Sequence, residues 1–295
     1  MLAVVGDLVE DVIVWPAGAL RRGTDNQAEI YRTRGGSAAN VAAFAADLYP
    51  TRFIGCIGDD AIGEHVSRLL SRAGVDVRVQ RRGVTGTIVI LIEPDGERTM
   101  LPSRGAATRL ERVVTEWLDG VELLHVPAYA FDGSPVRESV EEMIGVVRAR
   151  GGIISVDASS THVIENFGVD RFRAYIEQLA PDFLIANADE AELLGFGNDI
   201  TTQRILLDSP STTFVLKAGA QPTRVLRHGT QPLSIDVPPV AEIRDSTGAG
   251  DAFAAGFLST YLTTGDLAAS CRGGHTSAQA VLGSPGATGP IHTLG

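Results

Sequence analysis

Asp245-Ser246-Thr247-Gly248-Ala249-Gly250-Asp251-Ala252-Phe253-Ala254-Ala255-Gly256-Phe257 is a glycine-rich turn that opens directly into an apolar, alanine-rich helix. The first N–H groups of a helix have no partner inside it, and glycines in front of them let a ligand approach the main chain closely. An anion is the natural occupant of such a place. Asp251 stands where phosphate charge would gather, and a carboxylate there can take the proton of a hydroxyl attacking phosphorus. The same residues also read as an ordinary capped helix, with Thr247 or Ser246 as N-cap and Asp251 merely favourable in the first turn. They do not read as a dinucleotide fingerprint, because Phe253 follows Gly248-Ala249-Gly250 where a third glycine belongs.

Upstream of this run, short segments rich in Val, Ile and Leu alternate with longer segments of helical spacing, the pattern of a mainly parallel sheet covered on both faces. The fold class is α/β. The expected buried strands are Leu2 to Gly6, Arg52 to Ile57, Leu123 to Val126, Ile153 to Asp157, Phe183 to Ala186 and Thr213 to Lys217. Helices are expected at Ala38 to Leu48, Gly63 to Ala73, Pro135 to Arg150 and Ala249 to Thr263. Two stretches, 12–34 and 79–101, alternate polar and apolar residues with no helix between them, and Pro94-Asp95-Gly96 reads as a hairpin turn. They predict about four antiparallel strands inserted into the α/β body, either as a lid over a ligand or as an edge extension of the sheet. No linker divides the 295 residues, so one domain carrying these insertions is expected.

Composition narrows the function classes. Hydrophobic residues make up 44% and charged residues 21% of the chain, as in ordinary globular proteins. No apolar run approaches the length that spans a bilayer, and Met1-Leu2-Ala3-Val4-Val5-Gly6-Asp7 turns acidic too early for a signal peptide. A cytoplasmic location, with no membrane partner, is expected. A formal net charge of −11 disfavours nucleic acid, whose phosphate backbone needs clustered basic charge. Cys56 and Cys271 lie far apart and lack zinc or disulfide spacing. Lys217 is the one lysine, which excludes a Walker A loop.

A second glycine pair, Arg34-Gly35-Gly36-Ser37-Ala38-Ala39-Asn40-Val41-Ala42, again stands at the mouth of a helix. Asn40 on its first turn can hydrogen-bond a hydroxylated ligand, although glycine before an alanine-rich helix also serves plain packing. The early Gly-Gly-x-x-x-Asn helix and the late Asp-Ser-Thr-Gly-Ala-Gly-Asp run, about two hundred residues apart, resemble the two signatures of the ribokinase or PfkB carbohydrate kinases. The resemblance extends further. Val5-Gly6-Asp7-Leu8-Val9-Glu10-Asp11 resembles the family's first strand and its sugar-contacting aspartate. Phe53-Ile54-Gly55-Cys56-Ile57-Gly58-Asp59-Asp60-Ala61-Ile62-Gly63 is similar to the approach to its second helix. Asn187-Ala188-Asp189-Glu190 resembles its Asn-x-x-Glu motif, and Lys217-Ala218-Gly219 its strand end beside the nucleotide.

The resemblance implies a ribokinase-like sheet flanked by helices, a small β lid, and a substrate held between lid and sheet. It implies Asp251 as general base, with the N–H groups of Gly248, Ala249 and Gly250 as an anion hole. Asp11, Gly35, Gly36 and Asn40 would hold the substrate. Asn187, Lys217, Gly219, Gly248 and Gly250 would lie at ATP, and Glu190 would position Mg²⁺ through water. Asp245 and Thr247, with backbone near Ser284, resemble positions that bind a monovalent cation such as K⁺. Arg104 lies on a segment where branches of the family place an arginine near the substrate. It can fork onto a carboxylate or phosphate, or be one more surface arginine.

The expected reaction moves the ATP γ-phosphoryl to a hydroxyl of a sugar, sugar acid or nucleoside. The rivals are an adenosine-type nucleoside kinase of the same family, a non-catalytic sugar or nucleotide sensor on the same fold, and a dinucleotide-dependent oxidoreductase. The last lacks a glycine fingerprint after its first strand, where Gly6-Asp7-Leu8 stands. Lid strands in this family often pair two subunits, so a homodimer is also expected.

Overall fold

The structure is a computed structural model and describes residues 1–93, 98–112, 114–240, 243 and 246–282. In chain order its strands are β1 (Leu2–Val5), β2 (Val9–Pro16), β3 (Ala28–Gly35), β4 (Thr51–Ile57), β5 (Asp76–Arg81), β6 (Thr85–Ile92), β7 (Arg98–Gly105), β8 (Leu123–Pro127), β9 (Ile153–Asp157), β10 (Phe183–Ala186), β11 (Thr213–Ala218), β12 (Gln221–Arg227) and β13 (Leu233–Ile235). The α-helices are α1 (Ser37–Ala46), α2 (Ala61–Arg72), α3 (Val136–Ala149), α4 (Thr161–Phe167), α5 (Val169–Leu179), α6 (Ala188–Leu193), α7 (Asp199–Asp208), α8 (Ala249–Thr264) and α9 (Leu267–Leu282).

Nine strands form one sheet in the order β13-β12-β11-β10-β9-β8-β1-β4-β5. Pairing is parallel from β11 through to β5 and antiparallel only at β11–β12 and β12–β13. Alternation along the strands fills both faces, as continuous Val/Ile/Leu runs require. Ala3 and Val5 join one buried cluster with Leu124, Val126, Phe172 and Phe214. Leu2 and Val4 join the other with the alanines of α1 and with Phe253 and Phe257 of α8. The expected parallel core therefore stands, and every expected strand and helix has a counterpart within a few residues.

The lid is a separate four-stranded sheet in the order β3-β2-β6-β7. Two details correct the sequence reading. Val79, Gln80 and Arg81 pair with β4 at the edge of the main sheet and do not belong to the lid. The lid is also not wholly antiparallel, because β2 and β6 run parallel from Glu10↔Thr87 to Val14↔Leu91. The reason lies in the body: β1 and β5 point the same way in the main sheet, so the strands that follow them leave by the same edge in the same direction. Pro94-Asp95-Gly96 lies outside the described residues.

The second insertion is rooted by one carboxylate. Asp60 caps α2 by accepting from the Gly63 N–H at 2.7 Å, and it also accepts from the Thr85 N–H at 2.8 Å and the Thr85 hydroxyl at 2.6 Å. Burial alone would raise its proton affinity, but these bonds hold it below the usual carboxylate value.

Candidate active site

Ligands of open α/β sheets bind outside the carboxyl ends of the parallel strands, and here that edge collects the polar residues. Asp7 follows β1, Asp157 ends β9, Asn187 and Glu190 follow β10, and Lys217 sits near the end of β11. Asp157 and Lys217 share strand parity with Ile153 and Val215, so they face the side of the sheet on which α1 and α8 pack. That is where α8 begins and Asp251 projects.

The start of α8 lacks the side-chain cap that one of the two sequence readings expects. Its N-cap is Gly248, at φ 78°, and no side chain caps it. Neither Thr247 nor Ser246 takes that role. A left-handed N-cap suits glycine, and it leaves first-turn N–H groups facing outward, as an anion requires. The N–H of Ala249 is the exception, because it donates to the Ser246 carbonyl at 3.2 Å. Lys217 Nζ lies on the same turn, where a Cβ on Gly250 would come within 3.4 Å of it.

Asp251 is gripped from α1. The Ser37 hydroxyl donates to one carboxylate oxygen at 2.7 Å, and the Asn40 amide donates to the other at 3.0 Å. Burial still dominates and pushes Asp251 up to about 6, with the Ser37 and Asn40 bonds acting the other way; Asp157 adds to the rise and Lys217 opposes it. A base poised there is ionised at neutral pH and can still accept a proton in a transition state.

Around it lies a second group of carboxylates. Lys217 Nζ stands 3.3 Å from Asp157 Oδ2 and 5.8 Å from the Phe253 ring centroid. Burial pulls the ammonium down, yet Asp157, Glu190 and Asp251 hold it above its ordinary value. Asn187 and Glu190 form a reciprocal cap on α6: Asn187 Oδ1 accepts from the Glu190 N–H at 2.9 Å, and Glu190 accepts from the Asn187 N–H at 2.8 Å and its side-chain amide at 2.7 Å. Glu190 is pushed up to about 7, first by burial and then by Asp157. Three carboxylates thus gather near one ammonium, a surplus of negative charge. Gly219, at φ 58° and with open space beside it, turns the chain just beyond Lys217.

A further group of polar residues lies at the root of the small sheet and the early glycine pair. Asp11 on β2 is buried, and its Oδ1 has no hydrogen-bond partner among the described residues. Burial raises it to about 7 against the pull of Arg34, with Asp251 and Glu10 adding to the rise. Gly35 makes room for it, because a Cβ there would lie 1.9 Å from Asp11 Oδ1. Gly36, at φ 99°, passes so close to the main chain of Asp7 that a Cβ would meet its carbonyl oxygen at 2.4 Å. At both glycines a side chain would collide with a neighbouring aspartate.

Arg104, near the end of β7, turns its guanidinium to the body. Nε and Nη2 grip the Asp7 carboxylate at 2.7 and 2.9 Å, Nη2 also reaches the Tyr129 carbonyl at 2.9 Å, and Nη1 reaches Asp132 at 3.1 Å. It is not a loose surface arginine. Thr247 is at the α8 turn, whereas Asp245 and Ser284 lie outside the described residues. Among the described residues no group of three or more His, Cys, Asp or Glu side chains is arranged to hold a metal ion.

Sequence reading missed Ser37, Arg34, Asp157 and Asp7 as members of this site. An acid at the end of an apolar parallel strand was the available signal for Asp157. Arg34 carries no such mark, since only the fold brings it to Asn40.

The model of the pfkB family carbohydrate kinase matches residues 1–294. The chain is 30% identical to the ATP-dependent ribose-1-phosphate kinase of Halopiger xanaduensis over 269 residues, covering 82% of this chain and 79% of that protein. It is 27% identical to the fructokinase of Klebsiella pneumoniae over 271 residues, covering 86% and 82% of the two chains. The solved structure of adenosine kinase from Sinorhizobium meliloti superposes with a TM-score of 0.85 at 21% identity, covering 99% of this chain and 96% of that one. With the early glycine helix and the late glycine turn meeting at one carboxylate, and the family match running through residues 1–294, this chain belongs to the pfkB family of carbohydrate kinases.

Proposed function

We propose that this protein transfers the γ-phosphoryl of ATP to a hydroxyl of a neutral sugar or nucleoside, with Asp251 as general base. The observation that carries the reading is Asp251 itself, held by Ser37 and Asn40 at the mouth of a helix that no side chain caps. The acceptor hydroxyl approaches Asp251, which takes its proton as oxygen moves onto phosphorus, and the N–H groups of Gly248 and Gly250 face the charge that develops. Ala249 holds the turn through its bond to Ser246.

The unpartnered Asp11 oxygen calls for an O–H donor, since a buried acceptor left unpaired costs about 1–3 kcal/mol. Asn40, Gly35 and Gly36 complete this hydroxyl-binding wall. An acidic acceptor would have to draw Arg104 away from Asp7, which favours a neutral one. Trp15 and Tyr31, in edge contact on the lid at 5.5 Å, are the aromatic surface a nucleoside base would use. Lys217, Gly219 and Asn187 are assigned to the nucleotide. The carboxylate surplus of Asp157, Glu190 and Asp251 fits the arrival of Mg²⁺ with ATP, Glu190 holding it through water. When bound, Mg²⁺ supplies neutralising charge to the phosphate oxygens. A K⁺ site at Asp245 and Thr247, a homodimer through the lid and a cytoplasmic location belong to the same reading. Ile30, Met100 and Leu101, exposed on lid strands, are consistent with pairing.

The test is a panel of sugars, sugar acids, sugar phosphates and nucleosides with ATP and Mg²⁺, with and without K⁺, following both ADP and phosphorylated product. Asp251→Asn is expected to lose on the order of 10²–10⁴-fold in turnover while retaining ATP binding. Ligand binding with no ADP formed on any acceptor would make the protein a sensor instead.

A further inference from the structure

The side-chain amide of Asn40 has two different ends, and which end meets Asp251 decides whether it supports or opposes an ionised base. Its Nδ2 donates to Asp251 Oδ2 at 3.0 Å, while its Oδ1 accepts from Arg34 Nη1 at 2.9 Å. The Arg34–Asn40 link is buried, Arg34 being 7% exposed and Asn40 6%, and the Asn40–Asp251 link is partly buried. A guanidinium can only donate, so an amide beside it turns its oxygen inward and has only its nitrogen left for the carboxylate. The chain Arg34, Asn40, Asp251 thus has a single consistent polarity. Arg34 is the last residue but one of β3 and Asn40 lies on the first turn of α1, so the fold fixes one relative to the other through Gly35 and Gly36.

We propose that Arg34 is a positioning residue for phosphoryl transfer, acting through Asn40 to keep a donor, and never an acceptor, against the base Asp251. This deepens the kinase reading and rests on it for the word base; the arrangement of the three side chains does not. Without Arg34 the amide is free to present Oδ1 to Asp251, which binds the protonated carboxyl and repels the ionised one. Other charges face Asp251 as well. Among the described residues they are Asp157 from β9, Lys217 from β11, Asp11 from β2 and Arg34 itself, with the titratable Tyr129 phenol also near, and Asp157, Lys217 and Tyr129 are unaltered in the comparison below. Burial brings Arg34 down only to about 10, so it stays cationic throughout the range in which Asp251 titrates.

The measurement is the carboxyl ¹³C titration of Asp251 in the free, full-length protein, assigned by its loss in Asp251→Asn. In Arg34→Met the proton affinity of Asp251 is expected to rise at least about tenfold, because a donor bond and a nearby cation are both removed. Arg34→Lys, which keeps a donor-only cation, is expected to restore most of the wild-type midpoint. Asn40→Leu raises the midpoint by itself, and adding Arg34→Met to it produces less than half the shift seen in the Asn40 background. An unmoved midpoint in Arg34→Met, or the same shift with and without Asn40, overturns the relay; the second result would mean simple charge attraction. If Arg34→Met does not fold, judged by ATP-induced thermal shift, Arg34→Gln carries the same comparison, because its own amide no longer imposes a polarity. Failure of the kinase reading is visible separately, as a wild-type protein that makes no phosphorylated product, and leaves this titration untouched.

Discussion

The chemistry of the site comes down to one carboxylate whose surroundings pull in opposite directions. Burial raises Asp251 to about 6 while Ser37 and Asn40 hold it down. Only the ionised form accepts a proton, so kcat/KM is expected to fall on the acid side through midpoints between about 6, for Asp251, and about 7, for Asp11 and Glu190, and to level off by about pH 8. A profile still rising steeply above pH 8 would assign the base elsewhere. Beside it, Gly35 leaves the space that the Asp11 carboxylate fills. Gly35→Ala must displace that carboxylate, and misplacement by about 1 Å can cost on the order of 10²-fold. The expected outcome is a raised acceptor KM with the KM for ATP little changed, measured by steady-state kinetics on the best substrate of the panel. Asp251 and Asn40 were legible because each belongs to a local pattern, a helix mouth and a glycine pair, whereas Asp11, inside β2, was singled out through the family resemblance. Ser37 and Arg34 were not legible, because their meaning depends on what the fold sets opposite them.

At the scale of elements, the parallel strands were legible from their unbroken apolar runs, and the lid from its polar alternation without a helix. The direction of one lid strand against another was not, since alternation has the same period in parallel and antiparallel pairs. The parallel β2–β6 pairing is decided by the body strands that feed it. Two anchors hold the second insertion to that body. Asp60 joins α2 to Thr85, and Arg104 joins β7 to Asp7. Asp60→Ala is expected to cost about 0.5–2 kcal/mol through the lost cap, read as a lower denaturant midpoint at unchanged slope. Arg104→Ala leaves Asp7 buried beside no cation and is expected to cost more, about 3–5 kcal/mol. Asp7→Asn added to it should recover part of that loss. Without such recovery, Arg104 stabilises through packing alone.

Across the whole molecule the site imposes a cost that pH can reveal. Asp11 and Glu190 are held near 7 and Asp251 near 6, all above the ordinary carboxylate values of 3.8 and 4.5. A folded state that raises these values binds more protons than the unfolded chain between about pH 4 and 7, so these groups make stability decline as pH rises through that window. Their contribution is complete below the ordinary values and is lost once pH passes the raised ones. Other acids in a chain of net charge −11 add their own slopes, so the informative quantity is a difference between two proteins. Asn closely matches the shape of a protonated Asp and never ionises. Asp11→Asn is therefore expected to match wild type in Tm near pH 4 and to exceed it progressively up to pH 7.5, while losing affinity for the acceptor. That combination follows from a residue kept buried and ionisable for a ligand at the expense of the fold. A constant Tm difference from pH 4 to 7.5 would mean that Asp11 does not titrate in this window, and the unpartnered oxygen would then belong to a carboxylate already satisfied in solution.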